Sequence, residues 1–596
     1  GEYDVQDGNL APAVVYAPTT PPSLASELVG SVDRVYGAVR AVAPPEDSTA
    51  TTAPAAVGGA AEVAGPIAGS RPSSSAPSAV VDGGTQTRTG TWEGCADAAE
   101  ALVVGGQPYG LSPGQLRTAY GIDDLWAAGH RGQGARVAVV DMLEGTVLPS
   151  DIEGYRSCFG LDGPTIVPHV VGDHTTDADD ESTLDLQVMS AVVPEAERLD
   201  WFAYPTADEA TDLSRAMIEM MVSALNADST GGEAPDVVSV SFGYCEPFME
   251  AADPAYRDGA DLLDQALATG AAAGVGYFVA SGDNGSSDCY RFTDGTDVAT
   301  SWPGVSPWVT SVGGTNLTLA DDNTIADTGV WNDTAFGIAE DLTGGGGGGL
   351  STTRPRPWWQ QGAGVPSGTG RIVPDVAAFA DPLPGYAILF DGTWTPIGGT
   401  SASTPLTAGA FALLQSIAAG DGQPPIGFAS PLLYELARTD AAPGGPFLDV
   451  TVGTNDVYGV GVYPALDGFD LATGWGSLLH DRLALVLQPP SAPVGVPALA
   501  AVGTGRPLTY QLVADPVVHG GTALSYAWDA DGDGVVDAVT EQPVLTHTYR
   551  SAGARTATVT VRTSLGRTAA FSATVWADAT GGRAGQAPGV TPAFTG

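Results

Sequence analysis

Lysine is absent from this 596-residue chain: all 23 basic residues are arginine, set against 69 acidic ones. The formal net charge is −46, so a nucleic-acid duplex or an anionic membrane would repel it. The acidity is spread along the chain, as on a solvating surface suited to acid or to salt. No run reaches the ~18 apolar residues of a membrane span. Cysteine is sparse: Cys95, Cys158, Cys245 and Cys289, with no CxxC pair. That argues against zinc and for two disulfides in an exported protein, expected as Cys95–Cys158 and Cys245–Cys289, with free buried thiols the alternative. The chain starts at Gly1 without a methionine or a signal peptide, as expected of a processed or trimmed secreted protein. Histidine is limited to six residues. None lies in a His-Gly-Thr-like turn opening a helix, and His174, beside an acidic loop, is the only candidate base among them.

What is present is glycine (80) and proline (45), as in loop-rich extracellular proteins, and length for two to four folding units. Residues 24–39 carry apolar side chains at helical spacing. Residues 46–94 are rich in Ala, Pro, Ser, Thr and Gly, a linker composition. From Cys95 onward, LSPGQLRTAYGIDDLWAAG reads as one helix capped by Ser112-Pro113. ARVAVVDM, RLDWFAY, DVVSVSFGY and GYFVASGD read as strands, with LDLQVMSAVV and DLLDQALATGAAAG as helices between them. The alternation predicts an α/β fold, a parallel sheet flanked by helices. After Leu487, QPPSAPVGVP reads as a hinge. LTYQLVAD, ALSYAWDAD, VLTHTYRS and RTATVTVRTS then predict an all-β sandwich over about 488–578, and 579–596 is a tail without structural signals.

Three stretches carry chemistry. In PIGGTSASTP, small residues crowd Ser401, as in a turn that raises a nucleophilic serine onto a helix start. Such a hydroxyl needs a base. Ser403 lies two residues further along that helix and faces another way, a packing position. In DADDESTLDLQ, Glu181 and Asp185 are four apart on one helix face. Two carboxyls so close couple their titrations and can share a proton, although the pair alone equally describes a solvated capping turn. In VASGDNGSSDC, Asp283 sits at the C-terminal end of a strand, where sites form in open α/β sheets, although SGDNG alone is simply a turn.

Glu-x-x-x-Asp, SGDxG and GGTSASTP in this order, with LSPGQLRTAYGI, SVSFGYCE, GGGGGGLSTTRPRPWWQ and RIVPDVAAFADPLPGY between or before them, resemble the sedolisin family of serine-carboxyl peptidases over about residues 95–487. The resemblance implies a subtilisin-like fold with Ser401 as nucleophile, Glu181 as general base and acid, Asp185 holding and tuning Glu181, and Asp283 in the oxyanion hole. Asp141 stands where many members have a glutamate extending the proton network, and Phe242 where tryptophan is frequent. The chemistry is coherent in acid. A glutamate remains partly ionised where histidine is already protonated, and a protonated Asp283 would donate a hydrogen bond to the oxyanion.

PFLDVTVGTN and YPALDGFDLATGWGS resemble the family's calcium loops. They imply one structural Ca2+ held by the Asp449 and Asp470 carboxylates and the Val450, Leu466 and Gly468 carbonyls, with Leu466 replacing a usual glycine; two plain turns are the alternative. Residues 1–45 resemble the end of the family's inhibitory propeptide, with a plain N-terminal extension as the alternative. YAWDADGDGVVDA and THTYRSAGARTATVTV resemble a PKD domain. Its Asp529, Asp531, Asp533 and Asp537 either hold a second calcium or only shape the turn. The resemblance implies a secreted, monomeric endopeptidase acting in acid on proteins or peptides. Its alternatives are a tripeptidyl-peptidase of the same family, an inactive secreted binding protein and a histidine-dependent subtilase.

Overall fold

The computed structural model describes residues 2–4 and 14–16 and the chain from Thr87 to Asp578, except 144, 171–177, 206–212, 226–233, 294, 337–343, 363, 421–422, 424, 440–444, 488–494, 518–522 and 564–567. The chain divides into two units, Gly1–Gly84 and Thr85–Gly596. In the first, Glu2–Asp4 pairs antiparallel with Val14–Tyr16. The helix expected over 24–39, His174 and the tail at 579–596 lie outside the described residues.

The second unit is built on a sheet whose strands we number β1 (Arg136–Leu143), β2 (Ile166–Val170), β3 (Arg198–Pro205), β4 (Val237–Val240), β5 (Gly276–Ala280), β6 (Thr310–Leu319), β7 (Ile325–Val330) and β8 (Val376–Phe379). Their order is β2-β3-β1-β4-β5-β6-β7, with β8 joined to β6. All pairings are parallel except the β6–β7 hairpin. The continuous apolar runs of β1, β4 and β5 follow from burial on both faces. Val137, Val139, Leu199 and Trp201 enter one apolar core, and Ala138, Val140 and Phe202 enter the other. Helix α1 (Asp180–Val192) and helix α3 (Thr400–Gly420) cover the first face. Helix α2 (Tyr256–Ala272) covers the second through Leu263 and Leu267. This is the expected α/β architecture, of subtilisin-like kind.

Two expectations are corrected. The single helix over 111–129 is two, Pro113–Ala119 and Ile122–Ala127, because Gly121 turns left-handed (φ 70°) between them and packs on Asp481. Its start is as read: the Ser112 hydroxyl accepts from the Gln115 amide in a capping box. Residues 88–94, expected as linker, belong to the peptidase region. The Arg88 amide donates to Pro108 O (2.7 Å), and Thr91 and Asn323 bond to each other. Both disulfides pair as expected, Cys95–Cys158 and Cys245–Cys289.

Beyond residue 494 a three-stranded sheet (Gly495–Gly503, Thr509–Val517, Val544–Thr548) and a four-stranded sheet (Ala523–Asp529, Ala538–Thr540, Gly553–Thr563, Thr568–Ala577) are antiparallel throughout. Tyr510, Leu512, Tyr526, Trp528, Val559 and Val575 form their shared core. The first strand starts inside the stretch read as hinge. Among the described residues, no helix is long and apolar enough to cross a membrane.

Candidate active site

After β1 the chain builds β2 and β3 on one side, then crosses to place β4 on the other. The crevice at such a reversal, outside the C-terminal strand ends, is where α/β sheets collect ligands. Asp141 lies near the end of β1, Ser241 directly follows β4, and Ser281-Gly282-Asp283 follows β5. Helix α3 starts against them at Thr400.

Ser401 is in the first turn of α3 and 8% exposed. Its approach requires glycine. A Cβ on Gly398 would lie 2.5 Å from Ala380 O, and Gly399 has φ +120°, a conformation closed to most side chains. The Ser401 hydroxyl donates to the Ser241 carbonyl at 3.1 Å. The Ser241 hydroxyl in turn donates to Asp185 Oδ2 at 2.6 Å. Ser403 is buried, with its hydroxyl 3.0 Å from both Gly313 O and Thr400 O.

Glu181 and Asp185 lie one turn apart at the start of α1. That start is fixed by Asp179, whose Oδ1 accepts from the Ser182 amide at 2.8 Å. Asp185 and Asp141 are fully buried. Burial, followed by the charge of Asp141, pushes the Glu181 carboxyl well above the usual range; the Ser401 hydroxyl beside it opposes the rise, and Asp283 and Asp180 add to it. Asp185 is also pushed well up, by burial, then by Asp141 and Glu181, against the Ser241 hydrogen bond. Asp141 is pushed up to about 7 by burial and by Asp179, against hydrogen bonding from Ser182, Asp185 and Trp201. Asp141 and Asp185 are buried and Glu181 is half-buried beside them; three carboxyls so close cannot all ionise, so protons are held among them.

Asp283 faces this cluster from the β5 end. Its Oδ1 accepts from both the amide and the hydroxyl of Thr400, each at 2.7 Å. Its Oδ2 lies on the Gly399 side, 2.8 Å from where a Cβ on that glycine would stand. Behind it, buried Asp288 is raised to about 7 by burial and by Asp283.

Two of the described histidines are engaged elsewhere. His169 Nε2 is 2.6 Å from Asp200, and buried His480 Nδ1 is 3.2 Å from Tyr120 O. Among the described residues, the hydrogen bonds drawn by Ser401 and the carboxyl cluster include no histidine. The structure thus gathers Ser401, Glu181, Asp185, Asp141 and Asp283. Sequence reasoning missed Ser241, Ser182, Trp201 and Asp288. Ser241 was in view within SVSFGYCE, and strand parity alone puts Trp201 on the sheet face of Asp141.

The two expected calcium loops meet. Leu466 N donates to Asp470 Oδ2 (2.9 Å), and Gly468 N to Asp449 Oδ2 (2.8 Å). Asp470 is buried and Asp449 exposed. Both carboxyls are raised chiefly by burial; Asp449 keeps lone pairs beyond its bond, while Asp470 also accepts from the amides of Ala472 and Thr473 and the Thr473 hydroxyl. Such a set fits a hard cation that takes oxygen ligands. In the C-terminal sandwich, Asp529, Asp531 and Asp533 bring oxygens within 4.8 Å of one another. Asp529 accepts from the amides of Gly532 and Gly534, and Asp533 from that of Val535, so the turn closes on its own backbone.

Fold and site together define a subtilisin-like α/β protein in which, among the described residues, carboxyl groups and not imidazoles lie beside the serine. Residues 188–426 match the Subtilase family and 495–575 the PKD domain. Kumamolisin from Bacillus sp. (strain MN-32) is 33% identical over 404 residues, 65% of this chain and 66% of kumamolisin. Sedolisin from Pseudomonas sp. (strain 101) is 31% identical over 329 residues, 53% and 51% of the two chains. Tripeptidyl-peptidase 1 from Dictyostelium discoideum is 28% identical over 396 residues, 63% and 58% of the two chains. The solved structure of Pseudomonas sedolisin, a serine-carboxyl proteinase, in complex with pseudo-iodotyrostatin aligns with TM-score 0.53 and 28% identity, over 63% of this chain and 97% of that one. The chain belongs to the sedolisin family. It spans half to two thirds of the length of these curated relatives.

Proposed function

We propose that the chain is a secreted endopeptidase that cleaves proteins in acid. The observation that carries this reading is that Ser241 bonds both to Asp185 and to Ser401, tying the serine to the carboxyl cluster, opposite a second carboxyl, Asp283, at the same helix start. Ser401 Oγ attacks the scissile carbonyl as Glu181 takes its proton. Asp185 orients Glu181, and Ser241 ties Asp185 to the Ser401 backbone, its hydroxyl also lying 3.3 Å from Ser401 O. A proton on Asp283 Oδ2 gives the oxyanion a hydrogen bond, while Oδ1 stays locked on Thr400. Glu181 then returns its proton to the leaving amine, and water releases the acyl group from Ser401 by the reverse path. The reaction needs Glu181 ionised and Asp283 as a hydrogen-bond donor, so activity has an acid limb set by the base. The raised Glu181 carboxyl moves the acid limb upward.

Ca2+ held by Asp449, Asp470 and the carbonyls of Val450, Leu466 and Gly468 would cross-link two loops and take no part in the chemistry. Residues 1–45 act as the remnant of an inhibitory propeptide.

Hydrolysis of an unfolded protein at about pH 3–5, a window set by carboxylate pKa values, tests the reading. Ser401→Ala should abolish hydrolysis, and Glu181→Gln should lower kcat at least about 1,000-fold. A Ser401→Ala protein as active as wild type sinks it. The likeness to tripeptidyl-peptidase 1 supports a second reading, release of N-terminal tripeptides. A substrate with a blocked N-terminus separates the two: an endopeptidase cuts it, and a tripeptidyl-peptidase does not.

A further inference from the structure

The backbone of Asp283 is held by a stretch of glycines. Its carbonyl accepts from the Gly345 amide at 3.0 Å, the Gly345 carbonyl accepts from the Gly285 amide at 2.9 Å, and the Gly282 carbonyl accepts from the Gly347 amide at 2.7 Å. The Ser281 hydroxyl adds a bond to Gly347 O at 2.7 Å. On its other edge the stretch pairs with Trp331–Asp333, just beyond β7. The Asp333 amide donates to Gly344 O at 2.9 Å, and the Gly346 amide to Trp331 O at 3.1 Å. Side chains would not fit between these two edges: a Cβ on Gly344 would lie 2.7 Å from the Trp331 ring, and one on Gly346 2.8 Å from Gly314 N. Glycines are free in the unfolded chain and have nothing to pack, so the stretch depends on the groups that bond its backbone.

A buried side chain clamps the start of this stretch. Asp333 is fully buried. Its Oδ2 accepts from the Gly344 amide at 2.9 Å, and its Oδ1 accepts from the Trp331 indole N–H at 3.0 Å. The Trp331 ring lies between Gly314 and Gly344. The carboxyl thus ties the Gly344 amide to a packed ring, one residue before the amide that holds Asp283. Burial raises this carboxyl to about 6, opposed by the Gly344 and Trp331 hydrogen bonds. In acid it is therefore uncharged, and each oxygen still accepts one of these bonds.

We propose that Asp333 is a positioning residue for Asp283: by clamping the Gly344 amide to the Trp331 indole it fixes the neighbouring Gly345 amide, and with it the backbone from which the Asp283 carboxyl reaches the oxyanion. The bonds from Thr400 to Oδ1 aim that carboxyl from the serine side. The two holds together define where Oδ2 stands. The inference rests on the serine-carboxyl reading of the site, with Asp283 as the oxyanion donor.

The test is Asp333→Asn, which keeps the shape and, in acid, the charge. It leaves one acceptor oxygen where two are needed, so either the Gly344 amide or the Trp331 indole loses its partner inside the protein. In acid kcat should fall about tenfold or more, as when a reacting group is slightly misplaced, with little change in KM. Trp331→Phe keeps the ring and deletes the indole donor. It should lower kcat in the same way but less, and it serves if the asparagine variant folds poorly. In an Asp283→Ala background no carboxyl remains to be placed, so either substitution should lower the residual kcat by less than about twofold. An unchanged kcat, a loss confined to KM, or an equal fold-loss in the Asp283→Ala background overturns the proposal. Failure of the underlying reading looks different: Ser401→Ala or Asp283→Ala would be as active as wild type.

Discussion

Gly399 shows how narrowly the serine turn is built. Its positive φ admits the bend, and its missing side chain leaves room for Asp283 Oδ2, the oxygen proposed to face the oxyanion. Alanine there would put a methyl group 2.8 Å from that oxygen, strain the backbone and turn the carboxyl away. Gly399→Ala should therefore lower kcat/KM about 100-fold or more, the usual cost of one oxyanion donor, and also lower the unfolding temperature through the strained backbone. Retained activity would mean that Oδ2 is not the donor. Ser401, Glu181, Asp185 and Asp283 could be singled out through the resemblance that their ordered motifs carry, since the acidic pair alone reads as a capping turn and SGDNG alone as a plain turn. Ser241 could not, because a serine after a strand is common and its role depends on which two side chains the folded sheet brings to it.

At the scale of elements, the site is a meeting of ends. Strand ends cannot move alone, since each is held in a parallel ladder, so Asp141 and Asp283 are fixed by the sheet, whereas Glu181, Asp185 and Ser401 depend on where α1 and α3 dock. The loops at 449–450 and 466–470 are supported differently, by a few backbone bonds to two acidic side chains. If calcium occupies them, a chelator should lower the unfolding temperature. At about 100-fold excess over Kd the ion contributes about 3 kcal/mol. Asp470→Ala should lower stability and make the chelator silent. An unchanged melting curve on chelation argues for plain turns. The two loops named from the sequence touch through the bond of the Gly468 amide to Asp449. The break at Gly121 was not foreseen, because its cause is a tertiary contact with Asp481.

For the whole molecule, the many acidic groups bear on pH. Asp141 and Asp288, near 7, and Asp264 and Asp333, near 6, are all raised chiefly by burial. A carboxyl raised on folding gives stability that is complete below its unfolded value near 4 and lost as pH climbs through its folded value. Release of self-repulsion among 69 acidic residues acts in the same direction. His480 opposes this: burial lowers it to about 4, so its contribution is present above about 6.5 and lost as pH falls toward 4. Four carboxyls outweigh one imidazole. The unfolding temperature should rise as pH falls from 8 to about 5, and His480→Asn should lessen any decline between 6.5 and 4. A maximum at pH 7–8 would contradict this account.

The sequence by itself determined the alternation of strands and helices, the sandwich that follows, and the residue types able to do acid chemistry, because periodicity, turn residues and local spacing are properties of neighbouring positions. Only the tertiary structure decided which carboxyls lie together and that Ser241 joins Asp185 to the serine. Those contacts join residues far apart in the chain, and the burial that shifts their proton affinities exists only once the sheet and its helices have excluded water from between them.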